Sequence, residues 1–189
     1  MKSIVLIGDS IRIGYQDTVK RELAGRADVW GPEENGGTSR NVLMHLSDWV
    51  IARSPDIVHL NCGLHDLRRE PGSSGTFVPV EEYGKNLRNI FRTVRDSLDT
   101  VLIFALTTPV NQEDHHTNKP FDRFETDVNL FNRKALEVSQ EYGIPVNNLF
   151  NVIEGKGTES CLMPDGVHFT DEGYSLLGRA VADFLSGYL

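Results

Sequence analysis

Apolar residues fall along this chain in two alternating patterns. Short, unbroken runs bounded by Gly, Pro or polar residues predict buried strands at Ser3–Ile7, Asp28–Trp30, Asp56–Asn61 and Thr100–Leu106, with a weaker fifth at Ile144–Asn147. The run Thr100–Leu106 (TVLIFAL) is apolar at successive positions, which suits a strand covered on both faces of its sheet. Between the strands, apolar residues recur at helical spacing. Val42, Leu43, Leu46, Trp49 and Val50 do so within Ser39–Arg53, and Val80, Tyr83, Leu87, Ile90, Phe91 and Val94 within Pro79–Leu98. Phe124–Tyr142 and Thr170–Phe184 read the same way, with Thr170 as N-cap and Asp171 and Glu172 favourable in the first turn. Strands alternating with helices imply right-handed βαβ units, hence an α/β fold with a largely parallel sheet. No repeat or linker interrupts the pattern, so residues 1–189 read as a single domain.

In an open parallel sheet, ligands bind at the carboxyl ends of the strands. Those ends are Gly8-Asp9-Ser10, the stretch Asn61 to Asp66, and the loop Thr108–Arg123. Ser10, at a strand-to-loop turn, could present its hydroxyl as a nucleophile and its own N–H as an oxyanion donor, or could simply cap a helix or cradle a phosphate. Asp165-Gly166-Val167-His168 places a carboxylate three residues before an imidazole. A serine nucleophile needs such a base and such an orienting group, although a solvated Asp and a helix-capping His fit the same spacing.

Taken together, GDS at residues 8–10 and DGVHFT at 165–170 resemble the first and fifth sequence blocks of the SGNH (GDSL-type) hydrolases. The resemblance implies a three-layer α/β/α sandwich with a five-stranded, mainly parallel, flavodoxin-like sheet. It also implies a serine esterase in which Ser10 is the nucleophile, His168 the general base and Asp165 its partner. Asn35-Gly36-Gly37-Thr38-Ser39 looks like the second block, which would make Gly36 an oxyanion donor, with Gly37 as the alternate. The third block departs from the family pattern. Gly63-Leu64-His65-Asp66 stands where such families read Gly-x-Asn-Asp, so His65 would have to donate through its ring N–H, with Asn61 as a substitute. Asp9 and Asp66 are then loop-fixing carboxylates.

Composition narrows the field further. Lys plus Arg number 19 against 27 Asp plus Glu, a net charge of −8, which lacks the basic footprint of a nucleic-acid binder. No apolar run reaches the ~20 residues that span a bilayer. Ile4 to Ile7 is too short for a signal-peptide core, so a cytoplasmic location is the default, although a trimmed export signal would leave the same sequence. Cys62 and Cys161 cannot build a disulfide framework and read as reduced thiols. His115-His116 beside Glu113 and Asp114 has no third ligand at recognisable spacing and reads as a solvated loop rather than a metal site. His45 and His59 read as packing residues. Arg12, Arg40, Arg68 and Arg123 could meet an anionic or sugar-bearing substrate, but each reads first as surface charge.

The expectation is therefore a cofactor- and metal-independent hydrolase of carboxylic esters. Its substrates would be small-molecule esters with short acyl groups, acetyl first, with carbohydrate among the alcohols. The competing readings are a binding module of the same fold with a degenerate site, signalled by His65, and an FMN protein holding phosphate in the Gly8–Gly14 turn. The sequence does not define an oligomeric state.

Overall fold

A computed structural model describes residues 1–189. Five strands, β1 (Lys2–Ile7), β2 (Ala27–Trp30), β3 (Ile57–Leu60), β4 (Val101–Ala105) and β5 (Val146–Asn147), form one sheet in the order β2-β1-β3-β4-β5. Every neighbouring pair is parallel, so the sheet is wholly rather than mainly parallel. The register sets Ile4 opposite Ile57 and Ile57 opposite Val101, which aligns the three apolar runs in the middle of the molecule. These strands are buried on both faces, which is why the runs do not alternate.

Eight helices surround the sheet: α1 (Ser10–Glu22), α2 (Ser39–Trp49), α3 (Val80–Ser97), α4 (Gln112–Asn118), α5 (Glu125–Tyr142), α6 (Leu149–Lys156), α7 (Thr158–Cys161) and α8 (Asp171–Ser186). α3 packs against both α2 and α5, while α8 packs against α1 and α6, giving the two outer layers of an α/β/α sandwich. α8 begins as its sequence predicts, with the Thr170 hydroxyl accepting from the Gly173 N–H. The stretch Ser39–Arg53 instead divides into α2 and a 3-10 turn at Ile51–Arg53. One continuous apolar cluster runs through β1 to β4 and the inner faces of the helices, with Val146 of β5 packed against it. Cys62 and Cys161 are both free and buried in it.

Two helices have no clear periodic signature. The buried face of α1 is Ile11, Arg12, Tyr15, Thr18 and Val19, so two of its positions read as polar. α4 replaces part of the loop expected at Thr108–Arg123. Its sequence, QEDHHTN, has no apolar stripe, and local chemistry starts it: Asn111 Oδ1 accepts from the N–H groups of Glu113 and Asp114, which also place negative charge in the first turn. No helix is long and apolar enough to cross a membrane.

Candidate active site

The apolar run of β1 stops at Gly8, and the chain turns into α1 under the control of Asp9. This carboxylate is the α1 N-cap, accepting from the Ile11 N–H at 2.9 Å. Ser10 is therefore the first residue of the helix, where backbone N–H groups have no helical acceptor and the helix dipole is positive. Its hydroxyl stands just past the carboxyl end of β1, the strand next to the central strand β3.

From the far end of the chain, the turn before α8 brings up Asp165 and His168. Gly166 between them has φ +71, and a Cβ there would lie 2.4 Å from the Asn111 carbonyl oxygen, so glycine is what lets this turn fold against α4. Asp165 Oδ1 accepts from the N–H groups of Val167 (3.1 Å) and His168 (2.9 Å), and Oδ2 accepts from His168 Nδ1 at 2.6 Å. With the ring proton held on Nδ1, Nε2 is an acceptor, and it receives the Ser10 hydroxyl at 3.0 Å. Burial pushes the Asp165 carboxyl up. The bonds from the His168 ring and N–H, from Lys119 Nζ (3.0 Å) and from Val167 outweigh it and hold the group far below the ordinary carboxylate range. Asp165 is thus an anion at neutral pH, and the geometry is that of nucleophile, base and orienting carboxylate.

Around Ser10 and His168 lies a cleft of about 270 Å³, lined by Asp9, Asn35, Leu64, His65, Lys119, Phe121, Arg123 and Val167. A larger groove of about 550 Å³ between α4, α5 and α6 contains none of the three catalytic candidates. His65 stands in the cleft as expected from the third block. Burial, together with Arg123, Arg68 and His168, lowers its pKa against the pull of Asp9, which favours the neutral ring.

The other oxyanion candidates are differently employed. The Gly36 N–H is not free, since it donates to the Gly8 carbonyl at 3.0 Å and so ties the second block to the turn that bears Ser10. The Gly37 N–H donates to Asn35 Oδ1 at 2.8 Å, and Asn61 Nδ2 donates to the Ala105 carbonyl at 2.8 Å. Asn61 thus stitches the end of β3 to β4 rather than facing substrate. The Gly37 bond orients the Asn35 carboxamide, leaving its NH2 as a donor at the cleft.

Asp66 fixes a loop, as its sequence context suggests. It accepts from the Ser39 N–H (2.9 and 3.0 Å) and hydroxyl, and burial raises its pKa to about 6 against those bonds.

Three surface assignments need correction. His115 is not part of a solvated loop but is fully buried on α4, and burial, with Arg123 and Lys119 nearby, lowers its pKa to about 4. Its neighbour His116 is exposed and bonds Asp122 at 2.6 Å. Arg12 and Arg123 are buried as well. Arg12 bonds the Glu34 carbonyl (2.9 Å) and the Gly8 carbonyl (3.4 Å), bracing the two blocks from behind. Arg40 and Arg68 do reach the surface, paired with Glu82 and Glu70. His59 is buried in β3, and His45 stacks on Trp49 with ring centroids 4.6 Å apart, so both pack as expected. Lys119, Phe121 and Asn35 were not singled out by the sequence, because they join the site only through contacts with residues far away in the chain.

This geometry can be set beside known proteins. The family model described as GDSL-like lipase/acylhydrolase matches residues 6–176. An isoamyl acetate-hydrolyzing esterase from Schizosaccharomyces pombe is 26% identical over 194 residues, covering 97% of this chain and 74% of that protein. The crystal structure of a lipase/acylhydrolase from Enterococcus faecalis superposes with a TM-score of 0.84 at 26% identity, covering 100% of this chain and 97% of that one. An acetylxylan esterase from Geobacillus stearothermophilus has the same fold, with a TM-score of 0.72, 18% identity, and coverage of 98% and 93%.

Proposed function

This chain belongs to the GDSL-like lipase/acylhydrolase family and is an ester hydrolase, and from that premise we propose that it cleaves short-acyl carboxylic esters, acetyl esters first, with Ser10 as nucleophile. The observation that carries the assignment is the unbroken relay from Ser10 Oγ to His168 Nε2 (3.0 Å) and from His168 Nδ1 to Asp165 Oδ2 (2.6 Å). Ser10 attacks the ester carbonyl as His168 takes its proton. The imidazolium, held by Asp165, then protonates the departing alcohol, and water removes the acyl group by the reverse proton path.

The tetrahedral oxyanion is received by the Ser10 N–H at the positive end of α1 and by the His65 ring, with the Asn35 carboxamide as a further donor. The family resemblance puts Gly36 in this last place, with Gly37 as the alternate. Its N–H could serve only by sharing or releasing the Gly8 carbonyl, so its part in this scheme is to hold the Ser10 turn. The small cleft supports a short acyl group, since about 270 Å³ lies below the usual size range for drug-like ligands. The isoamyl acetate esterase and the acetylxylan esterase are both named for acetyl esters, which makes acetylated carbohydrate the first complex substrate to try. The single apolar core supports reading residues 1–189 as one such domain.

The test is hydrolysis of p-nitrophenyl acetate by the wild type and by Ser10→Ala, followed by longer p-nitrophenyl esters. Wild-type turnover that falls by at least about 10³-fold in the variant, and declines as the acyl chain lengthens, is the expected result. Equal rates in the two proteins would remove Ser10 as nucleophile. Ligand binding without turnover in either would favour a degenerate binding module.

A further inference from the structure

Arg123 lies in the segment between α4 and α5, and its side chain is almost fully enclosed, with the residue 5% exposed. Nε donates to the Leu64 carbonyl at 2.6 Å and Nη1 to His115 Nε2 at 2.9 Å, while the Phe121 ring centroid lies 5.0 Å from the guanidinium carbon. Nη2 has no partner within the chain, yet it is not among the polar atoms sealed away from solvent. The residue forms one wall of the cleft that holds Ser10, His65 and His168.

The surrounding cations are differently placed. Lys119 Nζ pairs with Asp165 at 3.0 Å, and Arg68 Nη2 pairs with Glu70 at 3.0 Å. Arg123 forms no ion pair: its two bonded nitrogens face a carbonyl and a neutral imidazole. A buried charge without a counter-ion is unfavourable, and a guanidinium is the cation best suited to receive a carboxylate through a directed N–H. Burial lowers the Arg123 pKa to about 10, with Arg68 adding to the effect and Asp9 and Asp165 opposing it, so the group remains a cation at neutral pH. In a chain with net charge −8, this cation is a local feature of the cleft and not a consequence of composition.

Resting on the reading of the cleft as a Ser10-centred esterase site, we propose that Arg123 is a specificity-determining residue that receives a carboxylate carried by the ester substrate. The bond supplied is a charge-assisted Nη2–H···O⁻ contact in a largely enclosed site. Removing such a contact is expected to change the preference for a charged over a neutral ester by about 10- to 100-fold. Arg123 also holds the Leu64 carbonyl beside His65, so its loss would slow every substrate to some degree. The decisive quantity is therefore a ratio of kcat/KM values, in which that common loss cancels.

Two pairs of chromogenic esters locate the anion. Mono-p-nitrophenyl glutarate against p-nitrophenyl pentanoate places the carboxylate on the acyl side, and 3-carboxy-4-nitrophenyl acetate against p-nitrophenyl acetate places it on the alcohol side. The wild type should prefer the charged member of one pair by at least about tenfold, with the preference shrinking at high ionic strength. In Arg123→Gln the preference should collapse towards unity, and in Arg123→Lys part of it should return. No preference in either pair, or a preference that survives Arg123→Gln, overturns the proposal.

Glutarate and benzoate binding, measured by calorimetry on the wild type and on Ser10→Ala, needs neither turnover nor a folded Arg123 variant. If no ester is hydrolysed, the esterase reading fails and this binding alone decides the inference. Salt-sensitive binding supports it, and absence of binding by both carboxylates overturns it.

Discussion

Replacing Gly36 by alanine adds one methyl group at the point where the loop before α2 touches the turn that carries Ser10. A Cβ at this position would lie 2.8 Å from the Gly8 carbonyl oxygen and 3.1 Å from its carbon. Ordinary contact begins at 3.4 Å, so the two segments must part by about 0.6 Å (3.4 − 2.8). Gly8 has little freedom to yield, because it follows a strand paired on both sides and its carbonyl is also approached by Arg12 Nη2 at 3.4 Å. The displacement should pass to Asp9 and Ser10. Misplacing reacting groups by about 1 Å costs about a hundredfold in rate, so 0.6 Å implies a loss of about 10- to 20-fold in kcat/KM. Overpacking should also destabilise by about 1–3 kcal/mol. At about 2–4 °C per kcal/mol for a chain of this size, that lowers Tm by roughly 2–12 °C.

The assay is p-nitrophenyl acetate hydrolysis beside thermal unfolding for Gly36→Ala and Gly37→Ala. Gly37 has φ +59 with nothing within 4 Å, so alanine there costs about 1–2 kcal/mol of backbone strain but has no reason to move Ser10. Alanine at either position keeps its N–H, so a rate loss specific to position 36 reports the close approach and not a missing donor. Wild-type rate and Tm in Gly36→Ala would mean that the contact between Gly36 and the Gly8 carbonyl does not position Ser10.

Two further outcomes follow from the site and the core. Asp165→Asn keeps an oxygen for the Val167 and His168 N–H groups but turns an NH2 towards His168 Nδ1, which shifts the ring proton to the nitrogen facing Ser10. kcat should fall by about 10³–10⁴ with an unchanged circular dichroism spectrum, and a loss below about tenfold would contradict the assigned role. His59 is fully buried, accepts from Asn147 Nδ2 at 3.2 Å, and is held neutral by burial, its pKa lowered to about 4. The unfolded chain binds this proton more readily than the folded one. Stability from this site is therefore complete above the ordinary His pKa near 6.5 and is lost as pH falls from there towards 4. Between about pH 8 and pH 5 the loss is about 2 kcal/mol. Asp66, raised to about 6, works in the opposite direction, so the measurement is the difference in urea-unfolding slopes against pH between the wild type and His59→Gln. Parallel slopes would show that His59 is not the titrating group.

Much of this molecule is legible from local patterns because its strands and long helices are local in origin. An apolar run such as Ile4–Ile7 or Leu102–Phe104 has no amphipathic alternative, and the spacing of Tyr83, Leu87, Ile90, Phe91 and Val94 defines a helix face whatever it packs against. Ser10, Asp165 and His168 are legible in another way: taken singly, a strand-end serine and a D-x-x-H turn also fit a helix cap and a solvated loop, and only the pair, through its resemblance to the SGNH hydrolases, makes them site candidates. α1 and α4 are less legible. A stripe containing Arg12 and Thr18 hides one, and a seven-residue helix started by an Asn cap has too few positions to show a period.

Local sequence carries the alternation of strands and helices and the parallel sheet that it implies, while the family resemblance supplies Ser10, Asp165 and His168 as site candidates. Tertiary structure alone decided which polar groups are enclosed and what each one bonds. Arg123 reads as surface charge and His115 as part of a solvated loop, because a charged or polar residue in a segment without an apolar period gives no local sign of burial, even where, as at Arg123, Phe121 and Phe124 stand close by. They are enclosed because the segment between α4 and α5 folds over the end of β3, where Arg123 finds the Leu64 carbonyl 59 residues away in the chain. In the same way, the Gly36 N–H counts as an available donor until the Gly8 carbonyl is placed against it. Periodicity records which face of an element meets the core, because burial of apolar area is additive and local. A hydrogen bond between distant segments depends on two positions at once, and only the folded chain brings those positions together.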